Sequence, residues 1–304
     1  MKIVYRPEYN IDLGLLNRLH PFDGRKYAKV FEALAATGTE NVVTPVRPVD
    51  DAVINAFVNE LMKRVLKAKR YILQALEVPY IPLLPFSWID KRILLPMRWA
   101  VADTIKGAEL ALAGTNRRNL SGGYHHASRK SAQGFCIYND IGIAYDQMMA
   151  AGRLSANDRV LIIDIDAHHG NGNAEVFLEN RNVVLLDVYN ADIYPQTNYT
   201  RERVDLAVPL ASGTRGDEYL QKLGAALRKL DGNFRLAFVV AGTDVLATDP
   251  LGRLGLTIDE CAERERLVEQ RLSALSIPAL FVAGGGYSAD SSRAMTASIA
   301  AGLN

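Results

Sequence analysis

The run Val160-Leu161-Ile162-Ile163-Asp164-Ile165-Asp166-Ala167-His168-His169-Gly170 decides how this chain folds. Its aliphatic opening, with no polar alternation, predicts a strand covered on both faces, the kind found in parallel sheets. Every second side chain of a strand points the same way, so Asp164, Asp166 and His168 share one side. Two carboxylates and an imidazole gathered at a strand end are costly to bury unless a cation or hydrogen-bond partners compensate them. A divalent metal is the simplest compensation.

Outward from that run, other apolar stretches repeat the pattern. Strands are predicted at Lys2–Tyr5, Arg159–Asp166, Val183–Val188, Leu236–Ala241 and Ala279–Ala283. Helices are predicted over Val53–Leu76, Arg98–Ala113, Asp140–Ala151, Asp217–Leu230, Ile258–Leu275 and Ser291–Leu303, with Thr257 and Glu260 forming a capping-box pattern before the fifth. The proline-rich segment Val78–Pro85 reads as a surface loop at a pocket rim. Alternation of this kind, without repeats or a Gly/Ser linker, predicts an α/β fold: one domain over residues 1–304, a central, mostly parallel sheet and helices on both faces. Polar residues fall at the strand C-terminal ends: Asp164 to His168, Asp187, Gly242-Thr243-Asp244 and Gly284-Gly285-Gly286-Tyr287. Open parallel sheets bind ligands outside those ends, so the active site is expected there.

Thirty-five basic residues against thirty-four acidic ones leave a net charge of +1, which offers no global field for nucleic acid or an anionic membrane. The expected partner is small or local. Two cysteines, Cys136 and Cys261, make no disulfide framework and suit a reducing compartment. No run reaches membrane-spanning length and the start lacks a signal-peptide core, so the cytoplasm is the expected location. Oligomeric state is not legible.

Asp166, His168 and Asp244 form a candidate ligand set that leaves a position open for water or substrate, as catalytic rather than structural sites do. Zinc is favoured, while hard aspartate ligands keep iron(II) and manganese open. His125-His126 lies in Ser121-Gly122-Gly123-Tyr124-His125-His126, and in a chain with five histidines the pair suggests proton transfer near neutral pH. Asp164 is placed to orient one of them. Tyr287, carried by the glycine run, suits hydrogen-bond donation to a developing oxyanion. Phe135 and Tyr194 read as core aromatics on burial tendencies alone. Cys136 and Ser128 lie nearby with nothing to mark them as nucleophiles.

These motifs together resemble the zinc-dependent histone deacetylases of the arginase/deacetylase fold. The segments carrying the likeness are Leu19–Asp23, Gly122–His126, Gly134–Cys136, Asp164–Gly170, Asp187–Asn190 with Ile193–Pro195, Ala241–Asp244 and Gly284–Tyr287. The Leu19–Asp23, Asp187–Asn190 and Ala241–Leu246 runs point to class IV. The resemblance implies that Asp166, His168 and Asp244 hold Zn2+, that His126 is general base and then acid, and that His125 with Asp164 is its electrostatic partner. It also implies that Tyr287 polarises the substrate carbonyl, and that Gly134, Phe135 and Tyr194 line the tunnel for an acylated lysine, which replaces the core reading of the two aromatics. Asn171 stands where class I members carry an aspartate. Asp187 replaces a serine common at a structural potassium site, so a K+ near the Asp164, Asp166 and His168 backbone stays open. The implied activity is removal of acetyl or longer fatty acyl groups from lysine ε-amines of a protein or peptide. The alternatives are hydrolysis of a small acylated amine such as an acetylpolyamine, an arginase-type dimanganese hydrolase, and a noncatalytic acyl-lysine binding protein.

Overall fold

The computed structural model describes residues 2–14, 21–36, 42–43, 45–114 and 117–302 of the chain. In chain order its elements are β1 (Lys2–Val4), α1 (Lys26–Ala35), β2 (Val42–Val43), α2 (Asp51–Phe57), α3 (Glu60–Val65), α4 (Lys69–Ala75), α5 (Phe86–Ile89), α6 (Leu95–Leu112) and β3 (Arg117–Asn119). There follow α7 (Asp140–Ala150), β4 (Val160–Asp164), α8 (Asn171–Val176), β5 (Val183–Asn190), α9 (Asn198–Arg203), β6 (Leu206–Leu210), α10 (Gly216–Arg228), β7 (Leu236–Val240), α11 (Ile258–Ala274), β8 (Ala279–Val282) and α12 (Ser291–Ala301). Leu19 and His20 of the first signature segment, and the end of the last predicted helix at Leu303, lie outside the described residues.

The eight strands form one sheet in the order β2-β1-β3-β8-β7-β4-β5-β6. Every pairing is parallel rather than mostly so. Period two decides which side chain meets which layer. Leu161, Ile163 and Ile165 point into a cluster with Tyr219, Leu223 and Leu227 of α10 and Val268 and Leu272 of α11. Val160 and Ile162 point the other way, onto Ala108 and Ala111 of α6 and Ile141, Ala144 and Met148 of α7. Each such aliphatic side chain, fully buried, contributes about 1.5–3 kcal/mol. Asp164, Asp166 and His168 continue the face that α6 and α7 cover, at the point where β4 stops.

Several predicted elements are corrected. The helix expected over Val53–Leu76 is three short ones, because Asp50 and Asn59 cap new starts by accepting the N–H groups of Val53 and Met62. The next begins at Leu95, not Arg98, and continues from α5 through a wide π turn at Asp90–Leu94. Pro96 has no N–H for the preceding turn, and the widened turn lies directly before it. β5 runs to Asn190, so Asp187 lies within the strand, opposite Asp164. Strands β2, β3 and β6 were not expected. β6 is an edge strand and carries Pro209. Val78–Pro85 is a loop, and the ammonium of Lys69 binds the carbonyls of Ile81, Pro82 and Leu84.

Candidate active site

Beyond Ile165, whose N–H still reaches Val240 O, the chain leaves the ladder, and its next backbone N–H groups turn to carboxylates instead. Asp166 N donates to Asp164 Oδ1 (3.2 Å), Ala167 N to Asp244 Oδ1 (2.9 Å) and His168 N to Asp166 Oδ1 (3.0 Å). Gly285 N reaches Asp166 Oδ2 from the loop after β8 (2.7 Å). A side chain at Gly285 would put its Cβ 2.7 Å from Asp244 Oδ2, so the loop approaches this closely only as glycine.

Asp166, His168 and Asp244 converge from two strand ends, each offering a ligand atom within 4.8 Å of the others. His168 Nδ1 lies 2.7 Å from Asp244 Oδ2 and 3.2 Å from Asp166 Oδ1. All three are buried. Burial, then the neighbouring Asp166 carboxylate, pushes Asp244 up to about 7. Burial opposes charge on His168, yet Asp166 and Asp244 outweigh it and raise the imidazole to about 10. Burial pushes Asp166 up, but His125 and the hydrogen bonds to His168 and Asp244 hold it well below the usual carboxylate range, and this one imidazole and two acids fit a divalent cation.

The histidine pair comes from the loop after β3, which the Asp140 carboxylate holds by accepting the N–H groups of Gly123 (3.0 Å) and Tyr124 (2.8 Å). His125 Nδ1 meets Asp164 Oδ2 at 2.8 Å. Burial disfavours its charge, but Asp164 and Asp166 prevail and bring it to about 9. His126 Nδ1 meets Asn171 Oδ1 at 2.7 Å. With the amide oxygen facing the ring, Nδ1 carries the proton and Nε2 keeps its lone pair. Burial first, then His125 and His168, hold His126 well below the usual imidazole range. One ring of the pair therefore favours charge and the other favours neutrality.

Tyr287 follows the glycine run, and burial together with Asp166 and Asp244 raises its phenol well above the ordinary value, so it keeps its proton. Phe135 packs edge-on against it at 5.6 Å between ring centroids, and Tyr194 packs against His126 at 5.2 Å. Gly134 has φ +55°, and a Cβ there would lie 2.5 Å from His126 Cδ2. Neither aromatic is core: Phe135 is half-buried and Tyr194 is 43% exposed. Both belong to the walls around the histidines. A pocket of about 860 Å³, its open mouth included, is lined by His125, His126, Phe135 and Tyr287 and extends to Leu13, Val78 and Met97.

His169 is structural in its contacts, with Nδ1 on Asp187 Oδ2 (2.6 Å) and Nε2 on Thr200 Oγ1 (3.0 Å). The other oxygen of Asp187 is buried without a hydrogen-bond partner among the described residues. Cys136 is buried with its thiol on Gly134 O, and Ser128 pairs with Ser131, so neither meets a base. Sequence reasoning missed two contributors. Asp249 accepts the N–H groups of Tyr287 (2.7 Å) and Ser288 (3.1 Å), although Asp249-Pro250 reads only as a turn. Lys26 of α1, which no sequence motif singles out, is buried and donates to the carbonyls of Gly285 (3.2 Å) and Gly286 (3.3 Å).

Comparison with known proteins agrees with this architecture. A model of the histone deacetylase domain matches residues 20–303. Histone deacetylase 2 of Arabidopsis thaliana is 34% identical over 303 residues, covering 98% of this chain and 78% of that protein. Acetoin utilization protein AcuC of Bacillus subtilis is 31% identical over 201 residues, 62% of this chain and 51% of its own. The crystal structure of the HDA15 HD domain superposes with a TM-score of 0.76 at 20% identity, covering all of this chain and 90% of that one, a likeness of fold.

Proposed function

The chain belongs to the histone deacetylase domain family, and on that premise we propose that it is a class IV, zinc-dependent lysine deacylase acting by activated water in the cytoplasm. One observation carries the reading: the His126 ring, whose Nε2 bonds no described residue, and the phenol of Tyr287 line one pocket, and both rings pack against His168 of the Asp166, His168 and Asp244 set. Zinc held by those three residues would lower the pKa of water from 15.7 toward about 7 and polarise the amide carbonyl. His126 takes a proton at Nε2 and returns it to the leaving lysine amine, roles that contribute about 10²–10⁴ in rate. His125, kept cationic by Asp164, adds positive charge beside the developing oxyanion. Tyr287 donates to that oxygen, a contribution of about 10²–10³. Phe135 and Tyr194 hold the alkyl stem of the lysine between them.

Ile11, Leu13, Phe22, Ile93 and Met97 line the pocket beyond these groups, which supports acyl chains longer than acetyl. The unpartnered Asp187 oxygen supports a potassium ion near Asp164. The test is turnover of lysine peptides carrying acetyl to myristoyl groups, beside acetylspermidine, with and without a chelator. Chelator-sensitive hydrolysis of acyl-lysine is expected. In His126→Ala and Tyr287→Phe most turnover should vanish while metal content stays intact. Bound zinc with no hydrolysis of any acylated amine would instead leave a binding protein.

A further inference from the structure

Beneath the strand end that carries the carboxylates lies a fully buried guanidinium, Arg264 of α11, which the chemistry above does not use. Ile165 makes the last bond to β7, its N–H reaching Val240 O at 3.0 Å. Its carbonyl receives Arg264 Nη1 at 2.5 Å and the hydroxyl of Tyr219, from α10, at 3.2 Å. Both donors are wholly inaccessible to solvent. The peptide they grip joins Ile165 to Asp166, and a planar peptide whose C=O is fixed has its N–H fixed too. That N–H donates to Asp164 Oδ1 (3.2 Å), and Asp164 Oδ2 holds His125.

We propose that Arg264, assisted by Tyr219, is a positioning residue of the metal centre: it holds the Ile165–Asp166 peptide so that the Asp166 carboxylate faces the ion and Asp164 faces His125. The inference rests on the metal-hydrolase reading. Satisfying one carbonyl needs a single neutral donor, and Tyr219 supplies it. A second donor that is charged and fully desolvated exceeds that need, and burying it costs more than an aliphatic side chain would in the surrounding apolar cluster. Its nearest carboxylate among the described residues, Glu265 at 3.6 Å, is shared with Arg118 at 2.5 Å, so none of them gives Arg264 a counter-ion of its own. A permanently cationic fork on the peptide's carbonyl turns the N–H end of the peptide dipole toward Asp164.

The experiment measures zinc affinity of the full chain by competition with a chromogenic chelator, together with the melting temperature of the metal-stripped protein. Arg264→Met is expected to lose about 10–100-fold in zinc affinity, the usual range for groups that orient metal ligands. Arg264→Lys, which keeps the charge and one donor, should recover part of the loss. Tyr219→Phe should lose about threefold or more, with KM for an acyl-lysine peptide at saturating zinc near the wild-type value. If Arg264→Met does not fold, Arg264→Lys and Tyr219→Phe decide the question. Variants that melt lower when metal-free yet bind zinc as the wild type does would overturn the positioning role. A wild-type chain that binds no divalent ion is a separate result, and it removes the metal reading together with this inference.

Discussion

A neutral amide, not a carboxylate, faces Nδ1 of His126 across 2.7 Å. Replacing Asn171 by Asp puts an anion where it stabilises the imidazolium, which raises the ring's pKa by about one unit or more. Free base is then available only at higher pH, so the acidic limb of the kcat/KM profile should move upward in Asn171→Asp. An unmoved limb would mean that His126 does not set it. Asp249 acts on Tyr287 through the backbone. Asp249→Ala should lower kcat by about tenfold, less than the 10²–10³ expected for loss of an oxyanion donor. In a Tyr287→Phe background the same change should do almost nothing, since coupled residues are not additive. Equal losses in both backgrounds would show that Asp249 acts elsewhere.

Helix α11 starts with a complete capping box: Thr257 Oγ1 accepts from Glu260 N, and the Glu260 carboxylate accepts from Thr257 N. Thr257→Ala is expected to cost about 1 kcal/mol, read as a lowered urea midpoint at unchanged slope. Zinc affinity should hold, because Arg264 lies two turns farther along. That cap was legible in the sequence because it is local. Other elements were hidden for physical reasons. β3 reads Arg117-Arg118-Asn119, as polar as any surface loop, yet it is buried between β1 and β8, where Asn119 bonds Ala100 O and Thr104 Oγ1 of α6 and Arg118 meets Glu265 of α11. β6 holds a proline, which argues against a strand wherever its edge position is unknown. The two interruptions between Asp51 and Ala75 fall at Val58-Asn59 and Leu66–Ala68, and only Asn59 carries a capping signal strong enough to see beforehand.

For the molecule as a whole, the convergence of strand ends was legible from β4, β7 and β8, whereas the residues that approach from the α1 and α11 layers were not. Lys26 and Arg264 look like ordinary charged helix positions until the sheet gives them a floor to touch. The same layering buries Asp103 on α6, both oxygens without hydrogen-bond partners among the described residues. Burial raises its carboxyl to about 8 against a partial counter-pull from Arg6, whereas the unfolded chain titrates near 3.9. Between those values the folded state keeps a proton that the unfolded state has lost, so stability falls as pH climbs from about 4 to about 8. Asp103→Asn should remove that part of the slope and gain most at pH 8, as measured by urea midpoints at pH 5 and pH 8. A difference between the two proteins that does not vary with pH would contradict it. If Asp166, His168 and Asp244 hold zinc as proposed, chelation should lower the melting temperature and added zinc restore it, because only the folded state brings the three together. Finally, Pro209 bears on what the protein does in a crowd. A β-strand from a neighbouring chain that lined up beside β6 would find a missing donor in the middle of the row, so stacking into fibres stops there and this margin of the molecule is self-limiting.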